Sequence, residues 1–242
     1  MARQTGSGSG GKALALLCTD APSAWTKMGF HVDANNQVVL GDFLVKLGGT
    51  AESHPAPFGL PAWAFQGVPA GRTLLGVPTF ALSESQLEEA RRALRQAGGH
   101  PNTAVGVDHL VIFGKTKQLV LAEAARDGLE LRRERELGGD KSQLFFRPGQ
   151  GTILEVLAGA DLPDKAASFA LWGLTLVVQD IEAAKRLLGE EGASKIREAV
   201  QRGRRILTVR SAFAGSKVNI ALMTPHVAAE QPKHSGGVGG KL

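Results

Sequence analysis

The sequence predicts an α+β protein built from tandem βαβββ modules, with curved mixed β-sheets around a cleft and helices on their outer faces. Three observations predict it. A strand, a helix and three further strands recur in order along the chain. Within the strands, apolar and polar residues alternate with the period of two of a half-buried sheet. The chain has 242 residues, 43% hydrophobic and 21% charged, enough to bury a sizeable core beneath a wet surface.

The best-marked pair of modules is expected at 105–225. Asp108–Phe113 reads as a first strand, and 116–127 carries helical spacing through Leu119, Val120 and Ala124. Leu129–Glu136, Gln143–Arg147 and Thr152–Leu157 complete that unit. The pattern then restarts: Gly173–Val178 is a strand, Asp180 an N-cap, and Ile181, Ala184 and Leu188 share one helix face. Strands at Arg205–Arg210 and Lys217–Met223 close the second unit, whose own second strand is poorly marked. A degenerate copy with a connecting helix is expected at 12–104. Its strands are Ala13–Cys18, Phe30–Asp33, Gln37–Leu40 and Phe43–Leu47, and its helix is 22–28. Ala62–Gln66 adds a strand, and Ser83 to Gln86 has capping-box spacing that opens a helix ended by Gly98 and Gly99. Residues 60–104 fit either a decayed fourth unit or an elaborated connection.

Composition excludes several classes. Cys18 is the single cysteine, so no intrachain disulfide and no cysteine zinc cluster can form. No apolar run approaches the roughly 20 residues of a membrane span, and the N-terminus lacks a secretory apolar stretch. These features imply the cytoplasm, although the terminal Gly240-Lys241-Leu242 is one residue from a peroxisomal Ser-Lys-Leu address. The net charge of +5 invites a nucleic-acid partner. The cations are dispersed, Arg132, Arg133 and Arg135 alternate with Glu134 and Glu136, and tyrosine is absent, so none is expected. Arg202, Arg204 and Arg205 read as a solvated patch. Residues 1–11 and 226–242 read as disordered tails, and Gly6, Gly8 and Gly11 lack the strand that a dinucleotide fingerprint requires.

Alternation sorts the strand faces. Leu110, Ile112, Leu154 and Val156 would lie under a helix, leaving His109, Ile153 and Glu155 on the open face. Gln143, Phe145 and Arg147 share that face, as do Thr175, Thr208 and Arg210. A mostly apolar concave surface with a few converging polar groups suits a small ligand, with Arg147 and Arg210 able to clamp an anion. A carboxylate holding one imidazole nitrogen would make the other a general base, so His109 and Glu155 are the catalytic candidates.

The segment Val107-Asp108-His109-Leu110-Val111-Ile112 resembles the opening strand of vicinal-oxygen-chelate (glyoxalase-like) proteins. Thr152-Ile153-Leu154-Glu155-Val156-Leu157 resembles their closing strand, and Trp172-Gly173-Leu174 through Ala184 resembles the opening of a partner module. Gly203-Arg204-Arg205-Ile206 and Ala221-Leu222-Met223-Thr224 are similar to uncharacterised glyoxalase-like proteins. The resemblance implies a divalent metal between modules, held by His109 and Glu155 from the first. Its remaining ligand positions fall on Gly173 and Ala221, which cannot ligate, and two protein ligands fall short of the usual three or more. Three states of His109 stay open: a metal-free hydrogen bond to Glu155, metal ligation completed by His100, Asn102 or water, or a different strand register.

The expectation is a glyoxalase-like protein binding a small anionic or oxygen-rich molecule in this cleft, with lyase- or isomerase-type chemistry. A non-catalytic binding or scaffold subunit with a vestigial, metal-free cleft is the alternative. No cofactor beyond that metal is expected. No membrane partner is expected either, and a homodimer is compatible because such modules pair across subunits.

Overall fold

The computed structural model describes residues 12–49, 56–148, 152–163 and 167–226. The tails and the glycine-rich stretch thus lie outside the described residues, except Lys12 and His226.

The unit at the centre opens with β7 (Ala104–Gly114) and α3 (Lys117–Arg126), and continues through β8 (Leu131–Gly138), β9 (Lys141–Phe146) and β10 (Ile153–Ala158). Its partner comprises β11 (Phe169–Val178), α4 (Ile181–Gly192), β12 (Arg197–Glu198), β13 (Arg205–Val209) and β14 (Asn219–Met223). Together they form one eight-stranded sheet of order β12-β13-β14-β11-β7-β10-β9-β8. The two opening strands meet antiparallel at its centre, and each is flanked by its own closing strand in parallel. Leu110, Ile112, Leu154 and Val156 are fully buried with Val120 and Ala124 of α3. Leu174, Leu176, Ile220 and Leu222 are buried with Ile181 and Ala184 of α4. Both helices start where a short polar side chain can take an orphan amide: Thr116 accepts from Leu119 N–H, and Asp180 from Ala183 N–H.

A four-stranded sheet of order β2-β3-β1-β4 precedes these modules. Its strands are β1 (Ala13–Leu17), β2 (Gln37–Leu40), β3 (Phe43–Lys46) and β4 (Ala62–Phe65), with α1 at Pro22–Lys27. β1 runs parallel to β3 as β7 does to β10, and β4 lies antiparallel to β1 as β11 does to β7. Phe30–Asp33 is no strand. The Asp33 carboxylate accepts from the amides of Asn35 and Gln37 and ties that stretch into a turn.

After a two-stranded ribbon, β5 (Thr73–Leu74) with β6 (Val77–Pro78), comes α2 (Glu84–Gln96), which carries the complete Ser83–Gln86 capping box. Unlike the other helices, α2 covers the opposite face of its sheet. Leu87 and Ala90 pack there on Ala15, Val39, Leu44 and Ala64. Residues 62–96 therefore supply the first strand of a further unit, but a helix on the wrong side for it.

One hydrophobic core runs through both sheets, and polar contacts fix their docking. Buried Asp20 accepts from Trp25 Nε1 (3.2 Å), Ser216 Oγ (2.5 Å) and Lys217 N–H (3.0 Å), joining the N-terminal unit to the entry of β14. His100 accepts from His31 N–H at Nδ1, and its Nε2 donates to the Val39 carbonyl at 2.7 Å. Removing the Asp20 carboxylate leaves buried donors unpaired, so Asp20→Ala should lose about 3 kcal/mol in chemical denaturation. A loss below roughly 1 kcal/mol would show that this contact does not hold the sheets together.

Candidate functional site

The site begins with an irregularity in β7. Its register with β11 jumps from His109↔Thr175 to Val107↔Leu176, so Asp108 is one extra residue. Such a bulge re-aims side chains that a regular strand would send to opposite faces. Asp108 and His109 consequently meet: Asp108 Oδ2 lies 2.8 Å from His109 Nδ1. On the other side, Glu155 Oε2 lies 3.2 Å from His109 Nε2, and Glu155 Oε1 accepts from Gln143 Nε2 at 2.5 Å. The His109 and Glu155 side chains are each 13% exposed.

Burial works against a charge on His109, yet hydrogen bonds to Asp108 and Glu155 outweigh it and push its pKa up to about 9. Burial likewise opposes ionisation of both carboxylates. His109 and Arg204 nevertheless bring Asp108 down to about 2, and His109 holds Glu155 below the ordinary carboxylate range. At neutral pH the group is an imidazolium between two carboxylates, each ring nitrogen donating. Arg204 closes it. Its guanidinium is 1% exposed, lies 2.7 Å from Asp108 Oδ1, and also holds the Thr224 carbonyl (2.7 Å) and the Gln201 amide oxygen. Two cations and two anions thus sum to zero charge.

Above them opens a cavity of about 1070 Å³, lined on one side by His109, Glu155, Gln143, Phe145, Ile153 and Arg147. Ile206, Met223 and the 197–201 segment form the other side. Arg132, Arg133 and Arg135 of β8 line it too. Strand alternation places Arg133 and Arg135, and a register shift between Leu131 and Arg133 brings Arg132 to the same side. Arg133 stands opposite Phe145 and Arg135 opposite Gln143, while Glu134 and Glu136 point to the other face and bind Lys117 of α3. Arg132 pairs with Glu130. Among the described residues, the side chains of Arg133, Arg135, Arg147 and Arg197 have no hydrogen-bond or ion-pair partner.

Of the residues singled out from sequence, His109, Glu155, Gln143, Phe145 and Arg147 share this cavity. Thr175 is buried across from His109 and does not line it. Arg210 is elsewhere: β13 ends at Val209, the chain turns into a 3-10 helix at Ser211–Ala214, and the guanidinium donates to the Glu190 carbonyl at 2.7 Å. Asp108 and Arg204 escape strand alternation, one because of the bulge and the other because a Gly-Arg-Arg turn reads as surface. The alternating charges of 132–136 were the sequence signal for a basic cavity wall; counted as dispersed, they conceal it.

The divalent metal that the sequence resemblance implies does not fit this donor set. Among the described residues, His109 and Glu155 are the only imidazole and carboxylate facing the cavity beside the exposed Glu198, and no group of three or more such donors forms. Gly173 cannot be exchanged for a ligand in place: a Cβ there would sit 2.2 Å from the Asn219 carbonyl oxygen. His100 has both nitrogens committed far from the cavity, and Asn102 is fully buried on the Met28 carbonyl and Ala104 amide. With Nε2 and Nδ1 both donating, His109 has no free nitrogen for a general base either.

No protein-family profile and no curated protein sequence matches the chain. Solved structures do. The chain is similar to a xylose isomerase-like TIM barrel/4-hydroxyphenylpyruvate dioxygenase fusion protein, at 13% identity and TM-score 0.54, over 91% of this chain and 50% of that one. It is also similar to BphC, a halotolerant catechol dioxygenase, at 11% identity and TM-score 0.49, over 90% of this chain and 87% of that one. A third is methylmalonyl-CoA epimerase from Mycobacterium tuberculosis, at 19% identity and TM-score 0.41, over 52% and 91%. At such identities a likeness speaks for the fold alone, and the one at TM-score 0.54 agrees with the paired βαβββ arrangement expected from the sequence.

The ionised cluster makes stability depend on pH. With His109 raised to about 9 from 6.5, its contribution is complete below about pH 6.5 and is lost as pH rises through 9. Asp108 and Glu155 are lowered, so theirs is present above about pH 4.5 and lost on acidification. The melting temperature should peak between these limits and fall by about 5 °C toward pH 9.5. That alkaline fall should vanish in His109→Asn; its persistence there would mean another group causes it.

Proposed function

We propose that this vicinal-oxygen-chelate fold binds a small, oxygen-rich organic anion in the cleft lined by His109 and Glu155. The carrying observation is the charge of the cavity wall. The buried cluster is neutral in sum, while four guanidiniums on the wall lack partners among the described residues. Unpaired cations around an apolar floor of Phe145, Ile153, Ile206 and Met223 suit a ligand with an anionic group and an organic body. Arg147 clamps the anion, Phe145 packs on the body, and Gln143 orients Glu155.

Glu155 is the group that would move a proton. It is ionised, it faces the cavity, and it can take a proton from a ligand carbon or hydroxyl and return it at another position, an isomerase-type step. His109 stabilises that carboxylate and sets its orientation. The same contact favours a second reading, since a carboxylate held below its ordinary range is a weak base. That reading is a non-catalytic binder.

Thermal-shift and calorimetric titration with small carboxylates and their neutral amides tests the binding. Carboxylates should stabilise the protein, amides should not, and Arg147→Gln should weaken the carboxylates about tenfold, the worth of one charge-assisted contact. Equal effects of acids and amides would sink the proposal. In deuterated water, exchange of ligand C–H that is lost in Glu155→Gln separates the enzyme from the binder.

A further inference from the structure

The unpaired arginines are unevenly placed. Arg133 and Arg135 stand on one strand edge, with Arg147 at the end of the neighbouring strand, whereas Arg197 stands alone across the cavity. Glu198, near Arg197, is the sole unpaired carboxylate among the described lining residues. Positive charge is therefore concentrated at the β8–β9 end.

We infer that this end is a site for a phosphate monoester, and that the ligand of the cleft is a small hydroxylated organic phosphate. The inference rests on the cleft being a small-anion site, and names the anion. A carboxylate has one charge and two acceptor atoms, too few for three guanidiniums. A phosphate monoester at neutral pH has nearly two charges and three terminal oxygens, and can accept from all three. The register sets the rest of the ligand. Arg133, Phe145 and Glu155 lie opposite one another on three successive strands. At about 4.8 Å per strand, the cationic end and the Glu155 carboxylate are separated by roughly 10 Å of sheet, with a phenylalanine between. A phosphate at one end thus places a ring or short carbon body over Phe145. The far end then presents a hydroxyl, the donor that the ionised Glu155 accepts.

The opposite face argues against a general edge-strand device. Lysine or arginine on an edge strand often serves only to block strand pairing. Here, Glu134 and Glu136 are matched by Lys117 on the outer face, so the cations are left unmatched only on the cavity side.

Phenyl phosphate and phenyl sulfate share a shape and differ in charge, which makes them the probes. Calorimetry on the full chain at pH 7.5 and fixed ionic strength, in phosphate-free buffer, should give phenyl phosphate at least tenfold tighter binding than phenyl sulfate. Arg133→Gln/Arg135→Gln should remove most of that advantage while circular dichroism stays unchanged, since both residues are exposed. Inorganic phosphate should compete with phenyl phosphate. Equal affinities for the two esters, or an advantage that survives the double variant, would overturn the phosphate assignment. If carboxylates still bind in an Arg147-dependent way, only that assignment falls; if no anion binds, the small-anion cleft falls with it.

Discussion

An imidazolium held between two carboxylates organises this structure. Each of the three ions would be costly to bury alone, and the histidine offsets both acids at once. Arg204 takes the charge left on Asp108, so the cluster is neutral and can sit largely buried beside a cavity. It also stitches the modules together. His109, Asp108 and Glu155 come from the first unit, whereas Arg204 and the Thr224 carbonyl that it holds come from the second. The bulge at Asp108 is what allows this, because in a regular strand Asp108 and His109 would face apart.

A neutral floor changes the meaning of the wall. Were Glu155 unpaired, it would balance one of the arginines; bound to His109, it balances none. On the proposed reading, the guanidiniums of Arg133, Arg135 and Arg147 then act on whatever enters the cavity. Two faces of one strand illustrate the economy: Glu134 and Glu136 fasten α3 through Lys117, and Arg133 and Arg135 project the other way. The strand's period of two separates charges that look mixed in sequence.

Much of this was legible in the residues, for identifiable reasons. The strand at 153–158 alternates cleanly, so buried Leu154 and Val156 and cavity-facing Glu155 follow from the period, whereas 169–178 is buried along nearly its whole length. Asp108 was not legible, since a bulge is a property of two strands in register and leaves no mark in one. Arg204 fails for a related reason: burying an arginine depends on distant partners, here Asp108 and Thr224. Arg210 shows the limit of extrapolating alternation past a strand's end. Phe30–Asp33 has the apolar content of a strand but carries an aspartate that prefers to close a turn. α2 is legible from its capping box and its Gly98-Gly99 stop, yet neither says which face of a sheet a helix will cover.

The donor set bears on what the cleft selects. A chelated divalent ion concentrates its charge at one point and ranks ligands by how two oxygens coordinate it. With Gly173 packed against the Asn219 carbonyl and no group of three donors among the described residues, that means of selection does not fit the residues present. On the proposed reading, the positive charge is spread over guanidiniums on strand edges, which hydrogen-bond in planes and at several points. Selection then depends on the number of acceptor oxygens and on the distance from them to Glu155, two quantities that strand spacing fixes. The fold still brings two modules together around one cavity, but the discriminating contacts move from the centre of the cleft to its wall.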